Sequence, residues 1–176
     1  MEIEIIPSVS LQQGTFNVLV APPGMLIEAL NSRPEIQRFK LLYVTGNYSR
    51  ILSGLNRNIR EMDVRRAFTA YQLLTVLEEN HHTLLIIEHD PMLYQDEPSL
   101  QEYISKALRE VASQGRAIVL LYSAAMDRSL EEISAVADRL FSFNVVEKQT
   151  AARRPSRAKA GRLEQTSEGQ LTLGAF

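Results

Sequence analysis

Between residues 14 and 147 the apolar positions switch repeatedly between a compact β-branched pattern and a helical period. Thr15-Phe16-Asn17-Val18-Leu19-Val20 predicts a strand, stopped by the turn residues Ala21-Pro22-Pro23-Gly24. Residues 25–32 predict a short helix ended by Arg33-Pro34, and residues 40–44 a second strand running into Thr45-Gly46-Asn47. Behind Asp63 as N-cap, Val64, Ala67, Phe68, Tyr71, Leu74 and Leu77 recur at spacings of three and four, which predicts a helix. Residues 83–87 and 117–122 are apolar on both faces, as strands inside a parallel sheet are. Between them Ser99 and Glu102 have capping-box spacing, Leu100, Tyr103, Ile104, Ala107, Leu108 and Val111 form one face, and Gly115 ends the helix. Ser129 and Glu132 open a further helix in the same way, through Ile133, Val136 and Ala137, before Phe141, Phe143 and Val145 alternate as a strand with one exposed face.

Strands and helices in this order predict an α/β fold of three layers. It has a mainly parallel sheet of about five core strands, with helices on both faces. From about Lys148 the composition shifts to Arg, Ala, Ser, Gly and Gln, so the chain divides into residues 1–147, the α/β domain, and residues 148–176, a basic arm. Residues 162–165 and 170–173 also have the spacing of an edge hairpin around 166–169, which stands as an alternative to an extended arm.

Charge reinforces that division. Six cations and no acid lie between Lys148 and Arg162, leaving 13 cations against 21 acids elsewhere, a net of −8. An acidic body with a basic tail suits an anionic partner or a solvated arm. The chain has no cysteine, which excludes disulfides, thiolate metal sites and cysteine nucleophiles. Its longest near-continuous apolar stretch, residues 117–126, is far short of the ~20 residues a membrane-spanning helix needs. The opening Met1-Glu2-Ile3-Glu4-Ile5-Ile6 lacks the basic n-region of a signal peptide, so a cytoplasmic protein with no membrane partner is expected.

In a parallel sheet ligands sit beyond the C-terminal strand ends. The first such end, Val18-Leu19-Val20-Ala21-Pro22-Pro23-Gly24-Met25-Leu26, resembles the opening of the RecA/RadA/KaiC-type P-loop ATPases. The order of later segments carries the resemblance across residues 8–147. Tyr43-Val44-Thr45-Gly46-Asn47-Tyr48-Ser49 is similar to the strand and turn bearing that family's catalytic glutamate. Val64-Arg65-Arg66-Ala67-Phe68-Thr69-Ala70-Tyr71-Gln72-Leu73 is similar to the helix before the Walker B strand, and Leu84-Leu85-Ile86-Ile87-Glu88 to that strand itself.

The departures from the family are chemical. A working phosphate loop supplies glycine-rich backbone N–H groups, a lysine for the β/γ-phosphates and a hydroxyl for magnesium. Gly24 is instead followed by Met25-Leu26-Ile27-Glu28, whose apolar run is expected to block the phosphate position and whose carboxylate would repel it. The place of the catalytic glutamate falls near Asn47, which is no base, while Glu88 could stand in for the Walker B carboxylate. The resemblance therefore implies a degenerate nucleotide site at Pro23, Gly24, Asn47 and Glu88, with no catalytic residue and no cofactor. Taken alone, the Pro-Pro-Gly turn is an ordinary strand ending.

Two other groupings are weaker. Glu88-His89-Asp90 could hold a cation, but at ~3.3 Å per residue the intervening strand separates it from His81-His82, so no metal site is expected. Ser123, His89 and Asp90 have the residue types of a hydrolytic triad without a nucleophile elbow around the serine.

The arm carries two further signals. Arg153, Arg154, Arg157, Lys159 and Arg162, with no interleaved aromatic residue, have the composition of a segment that contacts nucleic-acid phosphates. Gln170-Leu171-Thr172-Leu173-Gly174-Ala175-Phe176 resembles the sliding-clamp-binding peptide, with Gln170 for a polar pocket and Leu171, Leu173 and Phe176 for an apolar cleft. The family resemblance and the arm together imply a non-hydrolysing paralog in DNA repair, recombination or replication. Its partners would be DNA, a sliding clamp and a recombinase-like or other subunit. A composite-site ATPase completed by a partner, and a regulatory α/β domain unconnected with DNA, are the alternatives.

Overall fold

The computed structural model describes residues 2–56 and 61–143. Its centre is a six-stranded sheet in which every neighbouring pair is parallel. The strands are β3 (Phe16–Val20), β4 (Leu41–Thr45), β5 (Met62–Arg66), β6 (Leu84–Glu88), β7 (Ile118–Ser123) and β8 (Arg139–Ser142), in the order β5-β4-β6-β7-β3-β8. β3, β4 and the first four residues of β6 are buried throughout, which is why they read as continuous apolar runs rather than alternating ones.

Alternate strand residues feed two cores. On one face Val18, Leu42, Leu85, Ile87 and Val119 meet α3 (Ala70–Glu78), α4 (Leu100–Gly115) and α5 (Arg128–Ser134). On the other, Leu19, Tyr43, Ile86 and Leu120 meet α1 (Pro23–Ser32), α2 (Arg50–Gly54) and an antiparallel hairpin of β1 (Glu2–Ile6) and β2 (Val9–Gln12). The expected three-layer α/β architecture is present. Its hairpin layer is additional, built from Ile3, Ile5, Val9 and Leu11, all buried, and turning at Ser8 with φ 73°.

One element differs outright from the sequence expectation. Residues 62–66 form an edge strand pairing with β4, not the start of a helix capped by Asp63. The helix begins at Ala70, where Thr69 Oγ1 accepts from Gln72 N at 3.2 Å and Gln72 Oε1 accepts from Phe68 N at 2.8 Å. Val64, Phe68 and Tyr71, assigned to a buried face by their spacing, are exposed; Ala70, Leu73, Val76 and Leu77 form the inner face.

Both predicted capping boxes are also absent. Ser99 makes no cap bond, because the carbonyls of Glu97 and Pro98 already receive the N–H groups of Leu100 and Gln101. Glu102 pairs with Lys106 instead. At α5 the cap is Asp127, which accepts from Leu130 N at 2.9 Å, and Glu132 takes Gln101 and Arg128.

Candidate site at the C-terminal strand ends

β4 leads outward to β5 while β6 leads back toward β7, so the β4–β6 boundary is a point where the winding reverses. Such boundaries open a crevice beyond the strand ends. A cleft of about 410 Å³ lies there, lined by Pro23, Tyr48, Arg50, Glu88, His89 and Ser123 among others.

Glu88 sits at its base. Tyr43, on the neighbouring strand, and Ser49, in the turn after it, both donate their hydroxyl protons to Glu88 Oε1. Ser49 is also the N-cap of α2, accepting from Leu52 N at 2.9 Å, so the helix start and the carboxylate share one side chain. Burial, reinforced by Glu88, pushes the Tyr43 hydroxyl far above its ordinary range, so it stays a donor at every physiological pH.

The other walls are equally committed. Tyr122 donates to the Ala21 carbonyl at 3.0 Å, and burial followed by the nearby Glu88 charge pushes its pKa up to about 12. His89 has its ring sealed from solvent, 2.8 Å from Asp127 Oδ2 and stacked on Tyr94. Burial lowers its pKa and outweighs the opposing pull of Asp127, so the imidazole is neutral at pH 7. Ser123 Oγ donates to Ala125 O at 2.6 Å. The Ser123–His89–Asp90 triad considered from sequence is not assembled. His89 is paired with Asp127, and Asp90 Oδ1 caps a 3-10 turn through Met92 N.

The connection from β3 to α1 is two residues long, Ala21 and Pro22. Ala21 N–H goes to Ser123 O and Met25 N–H to Pro22 O, and Pro22 and Pro23 have none to give. A Cβ added at Gly24 would meet nothing within 4 Å, so no close backbone approach explains this glycine. Leu26 is buried on the inner face of α1, with Met25 and Ile27 partly buried against the same core. That apolar run packs the helix against the core, and none of its three residues lines the cleft.

Of the four sequence candidates, Pro23 and Glu88 line the cleft. Gly24 is exposed in the first turn of α1, and Asn47 is exposed with its carbonyl receiving Arg66 at 3.2 Å. Tyr43, Ser49 and Asp127 were not singled out from sequence, although the Asp127-Arg128-Ser129-Leu130 order carries an N-cap signal. Arg153, Arg154, Arg157, Lys159, Arg162, Gln170, Leu171, Leu173 and Phe176 lie outside the described residues.

No helix among the described residues is long and apolar enough to cross a membrane. No family model matches the chain. It is 33% identical over 128 residues to an uncharacterized protein of Archaeoglobus fulgidus, a match covering 72% of this chain and 63% of that protein. The chain thus spans less than two thirds of that relative. Among solved structures it is similar to the crystal structure of the RadB recombinase, with a TM-score of 0.51, 11% identity and 74% of each chain covered. At that identity the likeness speaks for the architecture alone, and the chain has a RecA-like fold.

Proposed function

We propose that the chain is a RecA-like paralog that does not hydrolyse ATP and serves DNA recombination, repair or replication as an adaptor. The observation carrying this reading is the two-residue link into α1, where Pro22 and the helix's first residue, Pro23, leave no row of free N–H groups for a phosphate. The missing lysine and hydroxyl after Gly24 agree with it, as does a Glu88 carboxylate already occupied by Tyr43 and Ser49. Without a lysine, charge developing on a transferring phosphoryl group would go unstabilised. In this reading Pro23, Gly24, Asn47 and Glu88 mark a degenerate nucleotide site. The body meets a recombinase-like or other subunit, and Arg153, Arg154, Arg157, Lys159 and Arg162 meet DNA phosphates. Gln170, Leu171, Leu173 and Phe176 dock on a sliding clamp in the cytoplasm.

The test is fluorescence anisotropy on labelled duplex across a salt series, with and without ATP–magnesium. The intact chain is compared with one carrying glutamine at the five arm cations. The intact chain should bind with a log–log salt slope of about −4 to −5, the neutralised chain far more weakly, and nucleotide should change neither. Equal binding by both chains removes the DNA contact. A nucleotide-dependent shift would instead favour a composite ATPase site completed by a partner.

A further inference from the structure

The opposite end of the sheet holds a second cluster that the nucleotide reading does not use. The turn from α3 into β6 reads Glu79-Asn80-His81-His82-Thr83. Asn80 brackets the His82 backbone, its Oδ1 accepting His82 N–H at 3.0 Å and its Nδ2 donating to His82 O at 3.3 Å. That clasp buries the His82 ring and aims Nε2 at Asp63 Oδ2, 2.8 Å away on the edge strand β5. His81 is exposed beside it, with the two ring centroids 4.4 Å apart. His81 Nδ1 lies 3.4 Å from Glu79 O, so the tautomer that donates there leaves Nε2 as a free lone pair. Asp63, His81 and His82 each offer a ligand atom, and these atoms all lie within 4.8 Å of one another. Lys40 and Glu61 line a cleft of about 340 Å³ that opens on the cluster.

We propose that Asp63, His81 and His82 form a binding site for a divalent transition-metal cation of the zinc type. Two imidazoles, which are borderline nitrogen donors, with one carboxylate suit zinc, nickel or copper, whereas magnesium and calcium take oxygen shells. Zinc bond lengths near 2.0–2.1 Å put tetrahedral ligand atoms about 3.4 Å apart. The His82–Asp63 pair stands at 2.8 Å and all three atoms lie within 4.8 Å of one another, a spread that small side-chain rotations can adjust to that spacing. The cation replaces the proton that His82 and Asp63 now share, and the adjoining cleft leaves its fourth position open to water. His82 Nδ1 is buried without a partner among the described residues. On metal binding it carries a proton that no carbonyl receives, and a missing outer-shell partner costs roughly 10–100-fold in affinity. A micromolar site is therefore expected, not a nanomolar structural one. Its geometric consequence is a tie between β5, at the edge of the sheet among the described residues, and the turn leading into β6.

The test is calorimetry of zinc chloride, with magnesium chloride in parallel, on the full chain and on the Asp63→Asn and His81→Gln variants. Both altered side chains are exposed, and circular dichroism checks that the fold is kept. One zinc per chain at micromolar affinity, no magnesium binding and at least tenfold weakening in each variant support the site. Imidazole NMR signals of His81 and His82 should shift with zinc while that of the sealed His89 does not. Zinc binding no tighter than millimolar, or unchanged in His81→Gln, overturns it.

Discussion

Strand β6 has an imidazole–carboxylate contact beyond each of its ends, and in both the nitrogen and oxygen stand 2.8 Å apart. Beyond the C-terminal end, the His89 side chain is fully sealed and Asp127 is one-third exposed. Tyr94 covers the ring, and Asp127 spends its other oxygen on the N-terminus of α5. Beyond the N-terminal end, His82 is nearly as buried but Asp63 is 71% exposed, with a second imidazole alongside. The same pair of residue types is a clasp between elements in one place and an open ligand set in the other. Distance does not separate the two; the remaining commitments of each carboxylate do.

The comparison breaks if the clasp is dispensable. Asp127→Ala removes a helix N-cap and the partner that His89 Nε2 has among the described residues, so a loss of about 2–3 kcal/mol is expected in urea unfolding. Asp63→Asn, at the other end, should stay within about 0.5 kcal/mol, as exposed substitutions do. Comparable losses from the two would make both contacts structural.

A second, smaller effect sharpens the picture around Glu88. Tyr43→Phe deletes one of the two hydroxyl donors to a half-buried carboxylate and leaves Ser49 in place. A cost of about 1–2 kcal/mol is expected, read as a lower urea midpoint with an unchanged slope. A neutral outcome would mean that water replaces the lost donor and that the cleft is wetter than its walls imply.

How far these features could be read in advance depends on whether they are local. β3, β4, β6 and β7 are legible because burial on both faces forces apolar runs; on α4 Ile104 and Leu108 are buried as their spacing predicts, whereas Tyr103, assigned to the same face, is exposed and Gln101 and Ser105 are buried in its stead. β5 was not legible. Val64, Ala67 and Phe68 happen to continue the spacing of the helix behind them, while the deciding signal, Thr69 with Gln72, is one short motif inside that run. The error propagated: with Asp63 cast as a helix cap, its approach to His82 across β4 could not be foreseen. Glu88 was legible as a carboxylate at a strand end. Tyr43 and Ser49 reach it from 45 and 39 residues away, and only the parallel pairing of β4 with β6 brings them there. The β1–β2 hairpin carries a local signal as well, Ile3 and Ile5 alternating with Glu2 and Glu4, a two-residue period that its buried and exposed positions obey.

The smallest expected effect is a slope. His89 titrates below its ordinary value of 6.5 because burial disfavours the imidazolium more than Asp127 favours it. In the unfolded chain the same ring has its ordinary value. Between the two, the unfolded state therefore holds more protons than the folded one. Stability must then rise with pH through that window and fall as pH drops below about 6.5. His89→Gln should flatten this part of the profile, measured as urea midpoints from about pH 7.5 down to about pH 5.5. A profile that keeps its slope in His89→Gln would mean that the sealed ring does not give up its proton on folding, contrary to its burial.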